Sequence, residues 1–193
     1  MKYALQCSLL LLLGLGIFAG CAAPVEIMVP AKEPLTTYRT LEIAAPANDV
    51  VGKIDNSVVN DIMQDAVEGI LDLKHFSSLI VSTEIGLRKE LSDSVSRPGA
   101  PGDTTSSVAV LGTTIVEYDE GSGFLRFLFG ALAGSGKVTL ELYVVNRSTH
   151  QEIMKARSTA TISGAFATAS NVVGPLSKAI VNFVEDNFVK PKK

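Results

Sequence analysis

Three groups of residues in this sequence have types and spacings that could carry chemistry. The run Ala131-Leu132-Ala133-Gly134-Ser135-Gly136-Lys137-Val138 lies close to a phosphate-cradling P-loop, which needs Gly first and Ser or Thr after the lysine to hold magnesium. Here Ala131 and Val138 stand at those two positions. Lys137 also opens an alternating, strand-like stretch, whereas a P-loop lysine opens a helix whose first amides face the phosphate. Asp61, Asp65 and Glu68 are spaced by four and three, so on a helix their carboxylates share a face, as acid–base chemistry would need. On an amphipathic helix such a row is a solvated face. His75 and His150 come without a Cys, Asp or Glu set at metal-ligand spacing, which argues against a metal site. No Gly-x-Ser-x-Gly elbow is present to activate a serine. The sequence therefore predicts no cofactor, no metal and no catalytic centre; the chain is expected not to be an enzyme.

Cys21 is the one residue with a definite chemistry. Lys2, the apolar run Leu9-Leu10-Leu11-Leu12-Leu13 and the small residues Ala19 and Gly20 have the layout of a secretory signal. The apolar stretch is short for a membrane span. Ala19-Gly20-Cys21 resembles the lipobox of bacterial lipoproteins, in which small residues admit the peptidase and the cysteine thiol receives a diacylglycerol. Phe18 stands where leucine is usual. The resemblance implies a lipoprotein signal peptide over residues 1–20, lipidation of Cys21, and a lipid anchor in the membrane held by more than one acyl chain. Ala22, in place of an acidic residue, implies the outer membrane, with the domain facing the periplasm. Cys7 would leave with the signal and Cys21 would be alkylated, so the mature chain would hold neither a thiol nor a disulfide.

The 193 residues carry 20 acidic and 17 basic side chains, a net charge of −3. This mild acidity gives no reason to expect nucleic acid or an anionic lipid surface as a partner. Residues 21–37 contain Pro24, Pro30 and Pro34 with little apolar periodicity. They are expected to be a lipidated, proline-rich tether, whose roughly fifteen residues at ~3.1 Å each would span about 45 Å.

Residues 38–193 are expected to form a single periplasmic domain. Leu41 and Ile43 alternate with polar neighbours over 38–44, a strand pattern. Asp55, Asn56 or Ser57 can cap a helix carrying Val59, Ile62, Met63, Ala66, Ile70 and Leu73 on one side. Residues 78–82 are expected as a short buried strand, 83–94 as polar and partly helical, and 97–103 as a Pro- and Gly-rich breaker. Strand patterns follow at 107–118, 137–146 and 152–163, the last two joined by a polar turn at 147–151. A final helix sets Val173, Leu176, Ile180, Phe183, Val184 and Phe188 on one stripe, with Pro175 in its first turn and Lys190 near its negative end. The reading is an α+β domain: a mainly antiparallel sheet of about five strands with two amphipathic helices packed on one face.

Phe124-Leu125-Arg126-Phe127-Leu128-Phe129 is too apolar for an ordinary hairpin loop, so it demands cover. A turn of helix folded back on the sheet is the first expectation, a partner surface the second, and a bilayer the third. These six residues are the candidate partner contact.

Arg126, Gly130, Gly134 and Gly136, then the hairpin 137–163 and the terminal helix, resemble the bacterial lipoproteins defined by domain of unknown function 4410. The hairpin turn departs from that pattern, with Ser148-Thr149-His150 where Asp or Gly is usual. The resemblance implies an envelope lipoprotein with an α+β domain and no assigned activity. The functional expectation is a membrane-anchored, non-catalytic module that binds another protein or itself. Its alternatives are an envelope hydrolase with an unrecognised site and a small-ligand carrier with a sizeable apolar cavity.

Overall fold

Side chains that alternate between apolar and polar pair into one sheet, and those at helical spacing form the layer that covers it. The computed structural model describes residues 22–50, 54–96, 107–122, 124–125, 134–163 and 167–190. The expected signal peptide over 1–20, the expected lipid acceptor Cys21, the breaker at 97–103 and the candidate contacts Arg126, Phe127, Leu128 and Phe129 lie outside them. The elements, in chain order, are β1 (Val25–Val29), β2 (Thr40–Ile43), β3 (Ala47–Asn48), α1 (Asn56–Asp72), β4 (Ser78–Val81), α2 (Lys89–Ser92), β5 (Val108–Asp119), β6 (Gly136–Asn146), β7 (Glu152–Ile162) and α3 (Val173–Val184). A π turn, Glu185–Val189, extends α3.

The sheet runs β1-β7-β6-β5-β2-β4, with β3 beside β5. Strands β5, β6, β7 and β1 are antiparallel neighbours. β2 lies parallel to both β4 and β5, and β3 parallel to β5. The sheet is therefore mixed and has seven strands among the described residues, where a mainly antiparallel sheet of about five was expected. The cause is α1, which carries the chain back so that β4 re-enters parallel to β2. Four-residue strands such as β2 and β4 are too short to declare a partner by alternation.

A second correction concerns residues 22–37, expected as a tether. β1 is a sheet strand, with Val25 opposite Ser158, Glu26 opposite Arg157 and Ile27 opposite Ala156. Ala23, Leu35 and Tyr38 are all buried. The Tyr38 hydroxyl donates to the Glu33 carboxylate and accepts from the Asn146 side-chain amide at 2.9 Å. Pro24 and Pro30 bracket β1 without interrupting it, which an edge strand tolerates.

One face of the sheet holds the core. Val138, Leu140, Leu142 and Val144 of β6, with Leu111, Met154 and Ile162 beside them, pack beneath Ile62, Met63 and Ile70 of α1 and Leu176, Ile180 and Phe183 of α3. Burying each such side chain is worth about 1.5–3 kcal/mol. Asp55 caps α1 as the sequence allowed, accepting the Ser57 amide at 2.8 Å. The two long helices close on each other at Gly69, where a Cβ would stand 2.5 Å from Val181 Cγ2. Phe188 ends fully buried and meets Phe76 edge-on, ring centres 5.7 Å apart.

Candidate functional site

The β5–β6 connection leaves the sheet through a neck whose backbone needs glycine. Gly121 (φ +67°) and Gly134 (φ +65°) both sit in the left-handed region. A Cβ on Gly121 would fall 2.2 Å from the Gly134 carbonyl oxygen. The Ser122 amide donates to that same oxygen at 2.7 Å, and the Asp119 carboxylate accepts the Gly121 amide at 2.8 Å. These glycines, which composition alone presents as a flexible lead into β6, form a closed neck.

Beyond it, the Leu125 amide donates to Ser122 Oγ at 3.3 Å. Phe124 is 69% and Leu125 41% exposed. Of the six candidate contact residues these are the two described, and both are exposed.

The remaining candidates are scattered. Lys137, the lysine of the P-loop-like run, is the second residue of β6 and pairs with Glu117 of β5 at 2.7 Å. That contact and a hydrogen bond from Thr139 hold the Glu117 carboxyl below its ordinary value. Asp65 and Glu68 both face Arg88, at 2.5 and 3.7 Å, so the carboxylate row of α1 anchors the segment after β4. His75 packs edge-on against Phe76 with Arg39 at 3.5 Å, and burial, then the Arg39 charge, lowers its pKa. His150 takes a left-handed turn position, φ +56°. That turn closes without Gly or Asp because Asn146 Oδ1 accepts the amides of Ser148 and Thr149 at 3.0 and 3.1 Å. Among the described residues no group of three His, Cys, Asp or Glu side chains could hold a metal ion.

On the sheet face opposite the core, Glu141 of β6 receives Arg157 at 2.6 Å and Lys155 at 2.8 Å from β7. Hydrogen bonds from these two, Lys155 first, lower the Glu141 pKa. A cleft of about 390 Å³ lies between residues 31–36 and the π turn after α3, lined by Lys32, Glu33, Leu35, Asn187 and Lys190. No described helix is long and apolar enough to cross a membrane.

Composition gave no notice of Ile27 and Met28, 43% and 45% exposed on β1. β1 is an end strand of the sheet, and among the described residues no strand pairs with its outer edge. The available signal was the run Val25-Glu26-Ile27-Met28-Val29 between two prolines, a β-forming segment.

Neither a family model nor a curated protein matches the chain. Solved structures do. PelC of Paraburkholderia phytofirmans, a dodecamer, is 11% identical, with 87% of this chain and 100% of that chain covered at a TM-score of 0.51. Lipoprotein GNA1162 of Neisseria meningitidis is 13% identical over 76% of this chain and 98% of that one, TM-score 0.42. A DUF330 protein of Xanthomonas campestris is 10% identical over 86% and 90%, TM-score 0.42. At such identities the first likeness is one of fold, and the other two superpose too loosely to carry an argument. The kinship with domain of unknown function 4410 stays a resemblance.

Proposed function

We propose that the chain is an envelope lipoprotein, anchored through Cys21 at the outer membrane and facing the periplasm, whose domain works by self-association and not by catalysis. The observation that carries this reading is β1: an end strand whose outer edge pairs with no strand among the described residues, with Ile27 and Met28 both exposed. Such an edge offers backbone donors and acceptors to a second chain, and its apolar side chains gain from being covered. The shared fold of PelC, which forms a dodecamer, supports assembly as a use of this architecture.

Sedimentation of the chain from Ala22 onward, with and without Ile27→Lys, tests the reading. The expected result is an oligomer that the lysine disperses while the fold is kept. A monomer at every concentration, indifferent to the change, would refute self-association. Incorporation of labelled palmitate, lost in Cys21→Ala, tests the anchor separately.

A further inference from the structure

We infer that the end of the sheet bearing the β5–β6 connection lies against the bilayer, with Phe124 and Leu125 seated at the boundary between headgroups and acyl chains. The inference rests on the proposed lipidation of Cys21. It follows from where the chain before Ala22 must leave the fold.

β1 runs antiparallel to β7, and Val25 stands opposite Ser158. Stepping back from Val25 therefore moves toward the C-terminal end of β7. Ala23 is buried there, and its amide donates to the Pro175 carbonyl in the first turn of α3 at 3.1 Å. Cys21 is two residues from that fixed point, a reach of about 7 Å at most. The expected 45 Å of slack does not exist, because β1 has taken it up. A lipid on Cys21 must draw this end of the domain to the membrane.

The same end carries the apolar pair. Ile162, which closes β7, is opposite Gly136, which opens β6, and Lys137 is opposite Asp119, which ends β5. Gly136 thus roots the neck two strands across from β1, about 10 Å away at sheet spacing. Phe124 and Leu125 emerge from that neck exposed. On sequence grounds they are a candidate protein contact; the position of the anchor makes a lipid surface their occupant. Asp119 and Glu120 stand at the root of the same connection, so apolar insertion, not attraction to anionic lipid, is the mode of contact. The outer edge of β1 would then face sideways along the membrane.

The chain has no tryptophan, so Phe124→Trp supplies a lone reporter, and Thr149→Trp in the exposed β6–β7 turn supplies a control at the opposite end. Each full-length lipidated protein is reconstituted in vesicles of phosphatidylethanolamine and phosphatidylglycerol, with and without lipids brominated on their acyl chains. Emission from Phe124→Trp is expected to shift to the blue and lose intensity with brominated lipid, and that from Thr149→Trp to do neither. Vesicle-bound protein in which Phe124→Trp emits as in water and is not quenched would overturn the inference and leave the anchor standing. Equal quenching at both sites would also overturn it. Absence of acyl label on Cys21 would remove the anchor reading and this inference together.

Discussion

The ring of Tyr143 on β6 lies directly over Gly112 on β5, so that a Cβ on Gly112 would fall 2.0 Å from Tyr143 Cζ. The two residues are register partners across the β5–β6 ladder, and the glycine leaves the space that the ring fills. Gly112→Ala should displace the ring and cost about 1–3 kcal/mol, the usual range for overpacking. Thermal melts of Gly112→Ala, Tyr143→Ala and the double variant check this. The double variant should lose less than the sum of the two, because the alanine at 143 removes the clash.

Residues 22–37 should behave as part of the domain. Leu35 is 2% exposed, and Leu35→Ala should cost about 2–5 kcal/mol. A version beginning at Tyr38 should unfold at lower urea than one beginning at Ala22. Equal midpoints would return the segment to the status of a tether.

The Tyr38 hydroxyl is pushed from 10.0 up to about 12, first by burial and then by the Glu33 carboxylate that accepts its hydrogen bond. Alkaline titration followed in the near ultraviolet should show a tyrosine ionising near that value, and Tyr38→Phe should remove it. Because folding raises this pKa, the folded state holds the proton more tightly. The stability that Tyr38 contributes is complete below pH 10 and is lost as the pH rises from 10.0 through about 12.

Glu141 has the opposite sign. Hydrogen bonds from Lys155 and Arg157 lower its pKa below the ordinary 4.5. Its contribution is therefore present above that value and fades as the pH falls through the lowered folded value. Glu141→Gln should cost about 0.5–1 kcal/mol at neutral pH and flatten the acid limb of the stability curve. Melts from neutral to acid pH, at low and high salt, read both effects.

How much of this was legible in the sequence depends on burial contrast. β6 and β7 were readable because Val138, Leu140 and Leu142 alternate with Lys137, Thr139 and Glu141, which only a one-faced sheet rewards. α1 and α3 were readable from their stripes. β1 was not, since an edge strand with Ile27 and Met28 in solvent has no inside-outside contrast to show, and Pro24 and Pro30 mimic a linker. The parallel pairing of β2 with β4 and β5 was hidden because pairing belongs to the path of the chain, not to local pattern. At the candidate site, composition announced that Phe124 and Leu125 need cover. It could not announce that Gly121 and Gly134 close the neck from which they emerge, since that follows from two backbone segments meeting at 2.7 Å between Ser122 and Gly134.

The placement of β1 also decides how the domain would bear force. A pull on the residues before Ala22 enters along the axis of β1, and the hydrogen bonds to β7 lie across that axis. The ladder is loaded in shear, so its bonds share the tension and must give way together; they cannot peel one at a time from the pulled end. The bond from the Ala23 amide to Pro175 takes the first strain. If Cys21 is the anchor proposed above, the strand next to it is therefore also the domain's mechanical clamp.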